Sequence, residues 1–181
     1  MSLKHVMEVY ELLDQIDAME AVKHYFSERN VPHIEYETVT GDKGATDFVK
    51  VLIPGRNGKS SGGSAPTLGI IGRLGGIGAR PERLGFVSDG DGALACLAAA
   101  AKLTDMKHQG DVLEGDVILT THVCPTAPTL PHDPVPFMDS PVDITTMNRY
   151  EVTSDMDAIL SIDTTKGNVV VNHNGFAITP T

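Results

Sequence analysis

The sequence predicts an α/β domain, a mixed β-sheet layered between helices, and three observations lead to that class. Two helical patterns are followed by two strand patterns. An alanine-rich helix lies between two apolar strands. Two further strand patterns come after a proline-rich stretch.

Lys4 to Leu13 has helical spacing, with Val6, Val9, Tyr10 and Leu13 expected to share one face. Asp17 followed by Glu20 has the spacing of a capping box and starts a second helix running to about Arg29. "VPHIEYETV" and "TDFVKVLIPG" then alternate as strands, the second closed by Pro54 and Gly55. Residues 56–66, "RNGKSSGGSAP", are small and polar, and predict a mobile loop. "TLGIIGRL" is a short buried strand, and "GGIGARPERLG" a glycine-rich connection into the helix of "SDGDGALACLAAAAKL". "GDVILTTHV" reads as a strongly apolar strand entered through a Gly-Asp turn. Six prolines between Cys124 and Pro141 make that stretch an irregular loop. "VDITTMNRYEV" predicts a short helix, and "DAILSID" and "NVVVNHN" the last two strands.

The 181 residues suffice for a single α/β domain spanning 1–181, with no internal repeat or domain boundary. The end at "GFAITPT", just after a strand and without a closing helix, leaves open that this is the N-terminal part of a longer chain. A net charge of −10 argues against nucleic acid or an anionic membrane as the main partner, since both repel it. Two unclustered cysteines, Cys96 and Cys124, form no disulfide framework, and the acidic helical start lacks a signal peptide's basic end and apolar run. A cytoplasmic location is the expectation.

Several motifs fail on spacing. "GRNGKSSGG" leaves two residues between Gly55 and Gly58 where a phosphate-cradling loop needs four. "GRLGGIGAR" has Gly76 and Gly78 in fingerprint spacing but continues into Arg80-Pro81. Asp89-x-Asp91-Gly92 opens like a calcium loop and then turns alanine-rich, without the remaining oxygen ligands. "HVCPTAPTLPHD" collects His122, Cys124, His132 and Asp133, atoms suited to zinc, although strand-end packing is the better account of His122 and Cys124.

The segment Asp89-x-x-Gly92-x-x-Ala95 resembles the helix opening of di-zinc exopeptidases, the aminopeptidase and deacylase group. That resemblance covers roughly Thr46 to Asp163 and implies a zinc-exopeptidase-like (phosphorylase/hydrolase-like) fold. It makes Asp89 a metal-bridging carboxylate and Asp163 an acidic ligand, leaving Asp91 as a helix cap and Gly92 as a close-packing position. The group's other motifs are replaced: Arg73 and Gly75 stand where its His-x-Asp would, and Pro125 and Thr126 where its Glu-Glu would. "RLGGIGARPERLGFVSDGDGALA" and "TTHVCPTAPTLPHDPVPFMDSPVD" also resemble domain-of-unknown-function family 1177, over nearly the whole chain.

The family 1177 resemblance supplies no activity, whereas the exopeptidase resemblance, with the His, Cys and Asp gathered after His122, implies a hydrolase of an amide or peptide-like small molecule with a rearranged metal site. Its metal ligands would come from Asp89, Asp163, His122, Cys124 and His132, with zinc or manganese as the metal. Arg73 would bind a carboxylate of the ligand or pair with Asp89. The alternative is a degenerate, non-catalytic binding or assembly module of the same fold. The group's habits imply a homo-oligomer acting on a small-molecule or peptide-like ligand.

Overall fold

The computed structural model describes residues 2–73, 86, 90–131 and 137–163. It is an α/β protein with a five-stranded mixed sheet between helices, as the sequence predicts. In chain order the elements include α1 (Ser2–Leu13), α2 (Ala18–Glu28), β1 (Ile34–Gly41), β2 (Gly44–Ile53), β3 (Leu68–Gly72), α3 (Asp91–His108), β4 (Val117–Val123), the two-residue strands β5 (Thr129–Leu130) and β6 (Phe137–Met138), α4 (Ile144–Glu151) and β7 (Ala158–Ile162). The pair β5 and β6 is antiparallel and lies within the stretch expected as irregular loop. The predicted strand "NVVVNHN" lies outside the described residues.

The sheet order is β1-β2-β4-β3-β7. β1, β2 and β4 pair antiparallel, whereas β4, β3 and β7 run the same way. β4 is central and all seven of its residues are buried: Val117, Ile118 and Leu119 open it as an apolar run, and Thr120, Thr121 and His122 are polar groups buried with them. Its odd-numbered Val117, Leu119 and Val123 join Val49 and Val51 of β2 in a core with Val9, Leu13, Val22, Phe26, Leu97 and Ala101 of α1–α3. Its even-numbered Thr120 and His122 face the other way, toward α4, because successive strand residues alternate sides. Phe48 of β2 shares that face and stacks on Tyr150 of α4, ring centroids 4.7 Å apart.

Expectations at three helices change. On α1, Val9 and Leu13 are fully buried while Val6 and Tyr10 stay at the surface. The helix buries the row His5, Val9, Leu13, and Val6 and Tyr10 sit about 100° round from its members. Asp17 is the N-cap of α2 but makes no side-chain cap, since its backbone (φ −99°, ψ 40°) is not the extended one from which a carboxylate reaches the first turn. Asp143, extended at φ −75° and ψ 163°, does cap α4, accepting from Thr146 N at 2.9 Å. Asp91 stands at the first helical position of α3, with Gly90 as N-cap. Its carboxylate there still complements the helix dipole.

Residues 56–66 are tied down rather than mobile. Arg56 N donates to Leu113 O, Asn57 N to Glu114 O, and Ala65 N to Asn57 O. A single 3-10 turn, Lys59–Ser61, lies against buried Asp116, whose carboxylate accepts from Gly55 N at 2.9 Å, Ser60 N at 2.8 Å and Ser60 Oγ at 2.9 Å. Burial alone would raise the Asp116 pKa. The Ser60 and Gly55 hydrogen bonds and the Lys107 charge outweigh burial and hold it below the usual value. A depressed folded-state pKa stabilises above the unfolded carboxylate value of about 4, and that stabilisation is lost as pH falls through the folded value. Asp116→Ala is therefore expected to cost about 1–3 kcal/mol at neutral pH by stranding the buried Gly55 N–H and releasing the two part-buried Ser60 donors. In urea denaturation, the gap between wild type and Asp116→Asn should shrink on acidification below about pH 4.

Candidate functional site

Open α/β sheets bind ligands outside the carboxyl ends of their strands, where neighbouring strands send their connections to opposite faces. β3 and β4 are such a pair: β3 leads into α3 on the core face, and β4 leads on to α4 on the other. The parallel register sets Gly72 opposite Thr121 on one side and Ile162 on the other. One residue further, Arg73 is level with His122 and with Asp163, and Arg73 N donates to Ile162 O at 2.8 Å. Three residues expected at the site from the sequence thus form a row across one sheet edge.

α3 starts close beside that row. A Cβ on Gly92 would overlap the Arg73 carbonyl oxygen, and one on Gly72 would overlap Gly92 O and the Cys96 side chain. Gly92 is the close-packing position the resemblance implies, and the small residues bring the helix onto the strand end.

Beneath the row lies Glu151, the last residue of α4 and fully buried. Its Oε1 is 2.5 Å from His122 Nδ1, and its Oε2 is 2.9 Å from Arg73 Nη1, an ion pair not aligned as a hydrogen bond. Arg73 Nη2 also donates to Asn148 Oδ1 at 2.5 Å, one helical turn before Glu151. Thr120 Oγ1 donates to Glu151 O at 2.8 Å, tying the end of α4 to β4 two residues before His122. The His122 ring lies 5.8 Å from that of Phe48. Sequence reasoning missed Glu151. Its one local signal is an acidic residue in a helix's last turn, where the dipole disfavours it.

The remaining expected residues divide. Cys124 follows β4 directly, with Sγ 3.7 Å from Met138 Sδ, and burial pushes its thiol up to about 12. Cys96 is buried in α3 with Sγ 3.3 Å from Thr120 O, its thiol likewise raised to about 12 by burial. Asp163 is exposed at the end of β7. Asp89 and His132 lie outside the described residues. Among the described residues no three His, Cys, Asp or Glu side chains converge as a metal-binding group. His122 supplies one imidazole backed by a carboxylate, the usual partner of a metal-ligating histidine. The described residues alone do not complete a zinc or manganese site. Also among them, no helix is long and apolar enough to cross a membrane.

The fold and the sheet-edge row define a mixed α/β protein with a polar cluster at its strand ends. Residues 37–181 match the family described as "Protein of unknown function (DUF1177)", and the chain belongs to that family. Among curated proteins, none matches it. Among solved structures it is similar to the glutaminyl cyclase of an Acidobacteriales bacterium, with a TM-score of 0.39 and 13% identity over 66% of this chain. The match spans 41% of the cyclase chain, well under half its length.

Proposed function

We propose that the chain is a hydrolase of an amide or peptide-like small molecule, built on a zinc-exopeptidase-like fold with a rearranged site. The observation that carries this reading is the row Arg73, His122 and Asp163 at the sheet's carboxyl edge, with Glu151 buried beneath it. Buried ions cost several kcal/mol each unless closely compensated. A cluster of them at the strand ends is better suited to a site than to the core. The resemblance of Asp89, Gly92 and Ala95 to an exopeptidase helix opening supports the same location. In this reading His122 takes or gives a proton, or ligates. Arg73 meets a carboxylate of the ligand with the guanidinium donors that Glu151 and Asn148 leave over. Asp89, Asp163, Cys124 and His132 are the further candidates for holding zinc or manganese, which would polarise the scissile carbonyl. The same reading takes the protein as a cytoplasmic homo-oligomer.

The second reading, a non-catalytic binding or assembly module, is favoured by one contact. Arg73 stands where the resemblance expects a metal-binding histidine, and its guanidinium is ion-paired with Glu151. Metal analysis separates the two. Protein purified without chelator is expected to carry stoichiometric zinc or manganese by elemental mass spectrometry, and Asp89→Asn to lose it while keeping its circular dichroism spectrum. Folded, metal-free wild-type protein would overturn the metallohydrolase and leave the binding module.

A further inference from the structure

A carboxylate has only acceptors, and a neutral imidazole carries one N–H and one lone pair. The nitrogen facing a carboxylate therefore carries the hydrogen, and the other nitrogen keeps the lone pair. In this protein Glu151 Oε1 faces His122 Nδ1, and the second oxygen faces the Arg73 guanidinium. The Arg73 partner and the Glu151 backbone are themselves held. Asn148 and Glu151, one turn apart on α4, grip the two terminal nitrogens of Arg73. Thr120 fixes the Glu151 backbone to the strand that carries His122. Glu151 is fully buried, so water does not compete for either oxygen.

We infer that Glu151, anchored by Arg73, is a positioning residue that locks His122 as its Nδ1–H tautomer and presents Nε2 to the site as a lone pair. This deepens the hydrolase reading and rests on it for the use of the lone pair. Nε2 is then the atom that accepts a proton from a ligand's O–H or N–H, or that binds a divalent cation. A purely structural ion pair would need only charge compensation. The tautomer lock adds a direction, set by which ring nitrogen faces the carboxylate, and that nitrogen is Nδ1.

The direction makes a sharp test. In Glu151→Gln, Arg73 still needs an acceptor, so the amide oxygen turns to Arg73 and the amide NH2 to His122. Nδ1 must then accept, and the ring proton moves to Nε2. The full chain, labelled with ¹⁵N-histidine, is studied in mildly alkaline buffer by long-range ¹⁵N–¹H correlation, with His122 assigned through His122→Asn. The expected result is an Nδ1–H ring in wild type and an Nε2–H ring in Glu151→Gln, with Asn148→Ala keeping the wild-type tautomer. A wild-type ring protonated at Nε2, or an unchanged tautomer in Glu151→Gln, overturns the inference. If Glu151→Gln does not fold, the wild-type spectrum alone still decides. None of these readouts needs activity or bound metal, so inactive, metal-free protein with the expected tautomer would sink the hydrolase and leave Glu151 in its role.

Discussion

Glu151→Ala is expected to destabilise the protein by about 3–5 kcal/mol, the range for removing one partner of a buried ion pair. The loss comes from what stays behind. His122 and Arg73 would keep their places, 97% and about four-fifths buried at the side chain, with no carboxylate between them. The threonine hydrogen bond to the Glu151 backbone survives the substitution, so α4 stays tethered and cannot swing away to let water in. Urea denaturation followed by circular dichroism reads the cost directly. A loss below about 1 kcal/mol, the size of an exposed pair, would show that the cluster is solvated and not a buried unit.

Gly92→Ala carries the second large effect, and its sign is the informative part. In the first turn of a helix, alanine normally stabilises relative to glycine, by roughly 0.5–1 kcal/mol. Here the new methyl would overlap the Arg73 carbonyl oxygen, and backbone rather than a flexible side chain would have to give way. Overpacking of this kind costs about 1–3 kcal/mol and outweighs the helical gain. The end of β3 would be displaced, and Arg73 with it, so the variant should lose ligand-site properties as well as thermal stability. A Gly92→Ala protein that melts above wild type would show that α3 does not sit on the strand end as described.

What the sequence made legible was local or periodic. β4 is legible through its strongly apolar start, Val117 to Leu119, after a Gly-Asp turn, and α3 through its alanines. Gly92 could be read because a small residue in a helix that must lie against a sheet has few other uses. Arg73, His122 and Asp163 were each singled out, and the parallel register placed them in one row. Glu151 escaped because its partner His122 is 29 positions away and nothing in "NRYEV" reports that separation. The same limit hid the order in residues 56–66. Their composition is that of a linker, but the group that organises Ser60 is an aspartate 56 positions downstream. The face of α1 was misjudged for a different reason, since apolar residues flanking a buried row satisfy the same periodicity as the row itself.

The Asp116 contacts have a bearing on the loop's resemblance to a phosphate cradle. Backbone N–H groups of Gly55 and Ser60, together with the Ser60 hydroxyl, converge on a single anionic group, which is how such loops greet a nucleotide. The seat is taken by the chain's own carboxylate, delivered from the residue that leads into β4. A Cβ on Gly58 would collide with that same carboxylate, so the glycine belongs to the tenant already in place. Glycine, lysine and serine in that order therefore record an occupied receptor whose ligand is covalently part of the protein, and an incoming nucleotide would find no vacancy.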